Sequence, residues 1–283
     1  MKKIIATLTV FVMTWLGLAG FLRGGRDLIV RVSASDFLGQ ALVYRATASL
    51  VLAENSQTYY LRADAPAPPE LQARAYIVAD LITGDVLLQK FPDKSYPIAS
   101  VSKLTTALTA LDMHLTETEL LYPLLLESNN EKAEEIAKIL NRKKFMQAMN
   151  EYVKNINMFN THYSDPSGIS PRNVSSARDL LLLTQHIYKN HPELFSLTLL
   201  PQKGLWSSNN LFVQKRHPNY LGGKSGYTPE AKGTLVSVFA LPLAGNEIRP
   251  VAIILLGTDS KLGVKYEVAQ SIIDYIVANV YFK

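Results

Sequence analysis

The chain has 283 residues, no cysteine, and a formal charge of +5 from 29 lysines and arginines against 24 carboxylates. That length can bury the core of one large domain or two small ones, and the absence of thiols excludes disulfide frameworks, thiolate zinc sites and a cysteine nucleophile. The basic residues are scattered, with no long basic run interleaved with aromatics, so no nucleic-acid partner is expected.

Met1-Lys2-Lys3 precedes an uncharged, mostly apolar run from Ile4 to Leu22, long enough to cross a bilayer as a helix. We read residues 1–22 as a signal anchor, with Gly17-Leu18-Ala19 as the small-x-small pattern that a cleaved signal peptide would use instead. In either case the remainder is exported to the cell envelope: membrane-anchored and extracytoplasmic if the segment is kept, secreted if it is cut. Arg23 and Arg26 follow the run, so basic residues flank it on both sides and charge gives no orientation. Residues 23–70 read as a stalk and linker, closing on Arg62-Ala63-Asp64-Ala65-Pro66-Ala67-Pro68-Pro69-Glu70, an extended, semi-rigid spacer. One domain is expected over 71–283.

That domain opens with a β-hairpin, Ala73 to Asp80 and Val86 to Phe91 around Thr83-Gly84-Asp85. A helix follows from Ser100 to Leu111, preceded by Pro97 and free of glycine and proline, with Ser100 in its first turn. Thr116 and Glu119 have the spacing of a capping box ahead of Leu120 to Leu126, which predicts a helix delivering Glu127-Ser128-Asn129-Asn130 at its end. Further helices are expected over Glu131 to Leu140, Lys144 to Asn155 and Leu180 to Lys189, the last capped by Ser175-Ser176-Ala177-Arg178-Asp179. Asp165-Pro166-Ser167-Gly168 is a turn. Beyond Pro201 the period shortens: Tyr220 to Tyr227, Thr234 to Leu241 and Val251 to Gly257 read as an antiparallel meander, with a turn at Ala244-Gly245-Asn246-Glu247. A helix from Val264 to Val280 closes the chain. The fold class is α+β, an antiparallel sheet with packed helices and a helical subdomain.

The chemistry concentrates in three short clusters. Ser100 and Lys103 lie three residues apart on one helical face, a hydroxyl beside an amine. Ser128-Asn129-Asn130 taken alone is a helix-ending turn, and Lys224-Ser225-Gly226 taken alone is a strand running into a turn. Ser102 points away from Lys103 and reads as a packing or hydrogen-bonding residue. His114, His162, His186, His191 and His217 show no paired ligand spacing and read as surface or packing residues.

In order along the chain, Ser100-Val101-Ser102-Lys103, Ser128-Asn129-Asn130 and Lys224-Ser225-Gly226-Tyr227-Thr228 match the three signatures of penicillin-recognising serine enzymes. More narrowly, the chain resembles the D-alanyl-D-alanine carboxypeptidases of peptidase family S11, low-molecular-mass penicillin-binding proteins with a β-lactamase/transpeptidase-like fold. Residues 145–150, Tyr163-Ser164-Asp165-Pro166-Ser167-Gly168-Ile169, Ser176-Ala177-Arg178-Asp179-Leu180 and Asn209-Asn210-Leu211 look like family blocks in family order. The resemblance implies a hydrolase that cleaves peptidoglycan stem peptides through a Ser100 acyl-enzyme, takes β-lactams as covalent inhibitors and needs no cofactor or metal. A cross-link-cutting D,D-endopeptidase and a catalytically silent peptidoglycan- or penicillin-binding protein are the alternatives.

A serine hydroxyl needs a base, and Lys103 serves only if its amine is neutral near pH 7, which burial and a second cation at Lys224 would favour. Ser128 would pass the proton to the leaving amine and Asn130 would bind the substrate backbone. Lys224 and Ser225 would bind the terminal carboxylate, and Gly226 would let substrate lie against the strand. By the resemblance, the amides of Ser100 and Tyr227 would form the oxyanion hole. The connection from Ser100 to Ser128 is shorter than is usual in the family: a β-rich insertion over the site is missing near His114. After the second signature, Glu131-Lys132-Ala133-Glu134-Glu135 stands where family helices carry small residues.

Overall fold

The computed structural model describes residues 59–243, 247–259 and 263–282, so the apolar segment of residues 1–22, most of the stalk and the turn at Ala244 to Asn246 lie outside the described residues. The first element is a strand, β1 (Tyr59–Leu61). The hairpin follows as β2 (Ala75–Asp80) and β3 (Val86–Lys90), then a two-residue strand β4 (Tyr96–Pro97), a 3-10 turn over Ala99–Ser102 and helix α1 (Lys103–Asp112). Helices α2 (Asn130–Ile139) and α3 (Arg142–Asn155), strand β5 (Val174–Ser175), and helices α4 (Ala177–Asn190) and α5 (Pro192–Thr198) complete the helical block. A small hairpin, β6 (Gln202–Lys203) and β7 (Trp206–Ser207), and a short helix α6 (Leu211–Gln214) lead into β8 (Tyr220–Thr228), β9 (Lys232–Leu243) and β10 (Glu247–Thr258). The chain ends in α7 (Val264–Asn279) and β11 (Val280–Phe282).

The main sheet has the order β3-β2-β10-β9-β8 and is antiparallel throughout. Successive strand residues face opposite sides, and here both sides are covered. Ile77, Val238 and Ile254 join the core under the helical block, whereas Val78, Phe239 and Ile253 join the core under α7. This explains why β9 and β10 read as unbroken apolar runs. Fully burying one such side chain contributes roughly 1.5–3 kcal/mol. Among the described residues no helix is long and apolar enough to cross a membrane.

Two features differ from expectation. The helix predicted over Leu120 to Leu126 is instead a 3-10 turn (Thr118–Leu120) followed by a single π-helical turn (Pro123–Glu127). Pro123 has no N–H to continue a preceding helix, and Thr116 donates to Glu117 at 2.7 Å rather than capping. The second difference is at the domain start. Where the sequence suggests a boundary at residue 71, β1 is already paired antiparallel with β11, Tyr59 opposite Phe282, and Arg62 N donates to Asn279 O at 2.9 Å.

Tyr59 also reaches a buried ion pair at the end of β2. Asp80, fully buried, accepts from Arg249 Nε at 2.8 Å, from the Tyr59 hydroxyl, and from the amides of Ile82 and Thr83 at 2.6 and 2.9 Å. Burial raises its pKa, but these donors together hold the carboxyl below its usual range. Removing one partner of such a pair leaves an uncompensated buried charge. Arg249→Met is therefore expected to cost ~3–5 kcal/mol in urea unfolding at pH 7, with the midpoint falling and the m-value unchanged.

Candidate active site

Three segments far apart in sequence meet at the Lys103 amine. Lys103 is fully buried in the first turn of α1, and its Nζ donates to Ser100 Oγ at 2.9 Å, Asn130 Oδ1 at 2.7 Å and Ser167 O at 2.6 Å. Burial is the main reason that its pKa falls, to about 7, against a smaller upward pull from Asp165. An amine half neutral at pH 7 can accept a proton from the hydroxyl it touches. Asn130 opens α2, where Asn129 caps the helix by accepting from Lys132 N at 3.0 Å.

Ser167 reads in sequence as part of a turn and of a family block, with no role of its own; its carbonyl is the third acceptor of the amine. Asp165 builds that turn, accepting from the amides of Ser167 and Gly168 at 2.8 and 2.7 Å and from Ser170 N at 2.9 Å. Asn173, fully buried, ties the turn to the end of the 3-10 turn before α1: Nδ2 donates to Asp165 O at 2.7 Å and to Ser102 Oγ at 3.2 Å. Gly168 has φ +85° and packs on the Ala99 carbonyl so closely that a Cβ would sit 1.9 Å from its oxygen.

The backbone just before Ser100 is unusual. Ala99 has φ +48°, a left-handed conformation that costs a non-glycine residue energy. Thr234 of β9 holds the preceding turn by donating to Ile98 O at 3.0 Å. Gly226 of β8 lies against the Ser100 amide: a Cβ there would stand 2.8 Å from Ser100 N and 2.6 Å from Thr234 Oγ1. The edge strand thus abuts the serine, leaving Ser100 half-buried and Tyr227 exposed.

Ser128 and Lys224 are not joined to this hydrogen-bond cluster. Ser128 adopts φ +63° at the end of the π-helical turn, and its Oγ is buried without a hydrogen-bond partner. Lys224, almost fully buried, donates to Ser225 O at 2.9 Å. Its pKa lies well below the ordinary lysine value because of burial first, then repulsion from Lys103 and Lys265. Lys224 and Ser225 line a small, partly open cleft with Leu125, Thr198, Asn209 and Gly223. Asn209 clamps the turn before Ser128, its N and Nδ2 donating to Leu126 O and Glu127 O at 3.0 and 2.8 Å. Arg178 pairs instead with Asp93 at 2.5 Å, and buried Asp179 accepts from Asn160 N at 2.7 Å, so both serve the packing of α4.

Residues 108–255 match the family described as D-alanyl-D-alanine carboxypeptidase. Over 224 residues the chain is 30% identical to a D-alanyl-D-alanine endopeptidase of Pseudomonas aeruginosa, covering 62% of this chain and 69% of that protein. It is equally 30% identical, over 210 residues, to a D-alanyl-D-alanine carboxypeptidase of Mycobacterium tuberculosis, covering 61% and 72%. The crystal structure of a D-alanyl-D-alanine carboxypeptidase from Mycobacterium tuberculosis H37Rv aligns with a TM-score of 0.67 at 26% identity, over 77% of this chain and 96% of that one. Penicillin-binding protein D2 of Listeria monocytogenes, in its cefotaxime-bound form, shares the fold with a TM-score of 0.66 at 23% identity, over 74% and 99%.

The amine at the centre of the cluster is open to direct measurement. Carbon-13 NMR of the lysine Cε atoms is expected to show depressed midpoints for the buried lysines, with the signal that is lost from the Lys103→Met spectrum titrating near pH 7; an ordinary midpoint near 10.4 for that signal would contradict the burial.

Proposed function

The chain belongs to the D-alanyl-D-alanine carboxypeptidase family, peptidase S11, and from that membership we propose that it removes the C-terminal D-alanine from peptidoglycan stem peptides through an acyl-enzyme on Ser100. The observation that carries the reading is the buried Lys103 amine, 2.9 Å from Ser100 Oγ with its pKa lowered to about 7. Neutral Lys103 takes the Ser100 proton as Oγ attacks the carbonyl of the penultimate D-alanine. The amides of Ser100 and Tyr227 hold the resulting oxyanion, an interaction of a kind that lowers such barriers by roughly 2.7–4 kcal/mol per donor. Ser128 passes a proton to the departing D-alanine amine, and Asn130 holds the peptide backbone. Lys224 and Ser225 bind the terminal carboxylate while Gly226 lets the peptide lie along β8. Water then releases the shortened peptide from Ser100.

β-Lactams present an acylating carbonyl and a carboxylate in the same relation and would acylate Ser100 covalently. The apolar run of residues 1–22 would hold the domain that begins with β1 at the outer face of the membrane. A D,D-endopeptidase that cuts peptide cross-links is the second reading. The short turns between α1 and α2 favour it, since Asn130 is exposed and no larger element separates the two helices. The P. aeruginosa relative bears the endopeptidase name.

A fluorescent penicillin is expected to label the wild-type protein covalently and to leave folded Ser100→Ala unlabelled; an unlabelled, folded wild type would mean a catalytically silent binding protein. The acylation rate is expected to rise about tenfold per pH unit below pH 7 and to level off above it. The sign follows from a base that works only when deprotonated, and the stopped-flow pH profile checks it. Mass spectrometry of products from defined muropeptides separates the two peptidase activities: loss of one D-alanine from monomers marks the carboxypeptidase, and conversion of cross-linked dimers to monomers marks the endopeptidase.

A further inference from the structure

Two consecutive residues of the terminal helix reach the strand that carries Lys224 and Ser225, and the mechanism above uses neither. In the first turn of α7, Lys265 Nζ donates to Gly226 O at 3.1 Å, and Tyr266 Oη lies 3.1 Å from Ser225 Oγ. The first contact holds backbone. The second sets the direction of a proton.

A hydroxyl has one hydrogen to give and two lone pairs with which to receive. In the contact between the two hydroxyls Tyr266 Oη is the donor and Ser225 Oγ the acceptor, so the phenol hydrogen is the one directed at Ser225. Burial raises the pKa of this phenol above its ordinary value, so it stays a donor at neutral pH. Ser225 Oγ, already receiving from Tyr266, keeps its own hydrogen for a partner at the small open cleft it lines with Lys224. With the opposite polarity, Ser225 would give its hydrogen to Tyr266 and turn lone pairs toward an incoming anion. The ring is held independently of its hydroxyl, edge-on to Phe212 at 4.9 Å, with Lys265 Nζ 5.6 Å from its centroid.

We infer that Tyr266 is a positioning residue: it orients the Ser225 hydroxyl so that its hydrogen points at the substrate's terminal carboxylate. The inference rests on the reading of that cleft as the carboxylate site. It gives the terminal helix a part in substrate selection, although no residue of that helix touches substrate.

The test uses Ser100→Ala protein, which binds without turnover, and NMR titration with a tripeptide ending in D-alanyl-D-alanine and with its C-terminal amide. Tyr266→Phe is expected to weaken binding of the acid about 5- to 10-fold and to leave the amide unchanged. In a Ser225→Ala background the same substitution is expected to change nothing. Equal weakening of both peptides, or no change in either, overturns the inference, and a thermal midpoint within a degree or two of the parent confirms that packing was kept. If the parent protein itself does not prefer the acid to the amide, the carboxylate reading fails and the inference falls with it.

Discussion

The site depends on one amine held out of water without a carboxylate touching it. Lys103 satisfies all three of its hydrogens on neutral oxygens, those of Ser100, Asn130 and Ser167. Neutral acceptors compensate a buried charge only in part, and the deficit is what lowers the pKa to about 7. A direct ion pair would have stabilised the ammonium and made it useless as a base. Asp165 is the nearest candidate for that role, yet its carboxylate is spent on the backbone amides of its own turn. The three acceptors come from the 3-10 turn before α1, from α2 and from the 165–168 turn, so the arrangement that tunes the amine also locks the helical block together.

The second constraint is the approach of β8 to the 3-10 turn of Ser100. Gly226 allows contact with the Ser100 amide, and Thr234 of the neighbouring strand pins Ile98 from behind. The left-handed Ala99 between them is strain that the surrounding contacts over-determine. On the far side of β8, Lys265 and Tyr266 hold Gly226 and Ser225. The edge strand is thus gripped from both layers at the residues nearest the serine, and its position is set by packing rather than by the sheet ladder alone.

Much of this was legible in the sequence where local pattern decides structure. The hairpin, the meander, α4 and α7 follow from period and capping, and Ser100 with Lys103 follows from helical spacing. The helix expected after Thr116 failed at Pro123, because an apolar run says nothing about which turn a proline will start. The Ser167 carbonyl was invisible as a site group, since every residue carries a carbonyl and only the tertiary fold chooses one. The same holds for the pairing of β1 with β11, whose partners are separated by nearly the whole domain, and for the meeting of Tyr266 with Ser225. Ser128 was legible as a residue but not as a left-handed, unpartnered hydroxyl.

That terminal pairing has a topological consequence. Tyr59 stands opposite Phe282 in an antiparallel ladder, so the described domain begins and ends at the same point in space. With the preceding residues removed, a few added residues joining Tyr59 to Phe282 would make that domain a ring, and the ring could then be reopened in the turn between β2 and β3 without parting any strand of the main sheet from its neighbours. The order in which Ser100, Asn130 and Ser167 occur along the chain is therefore separable from the geometry that brings them together at the Lys103 amine.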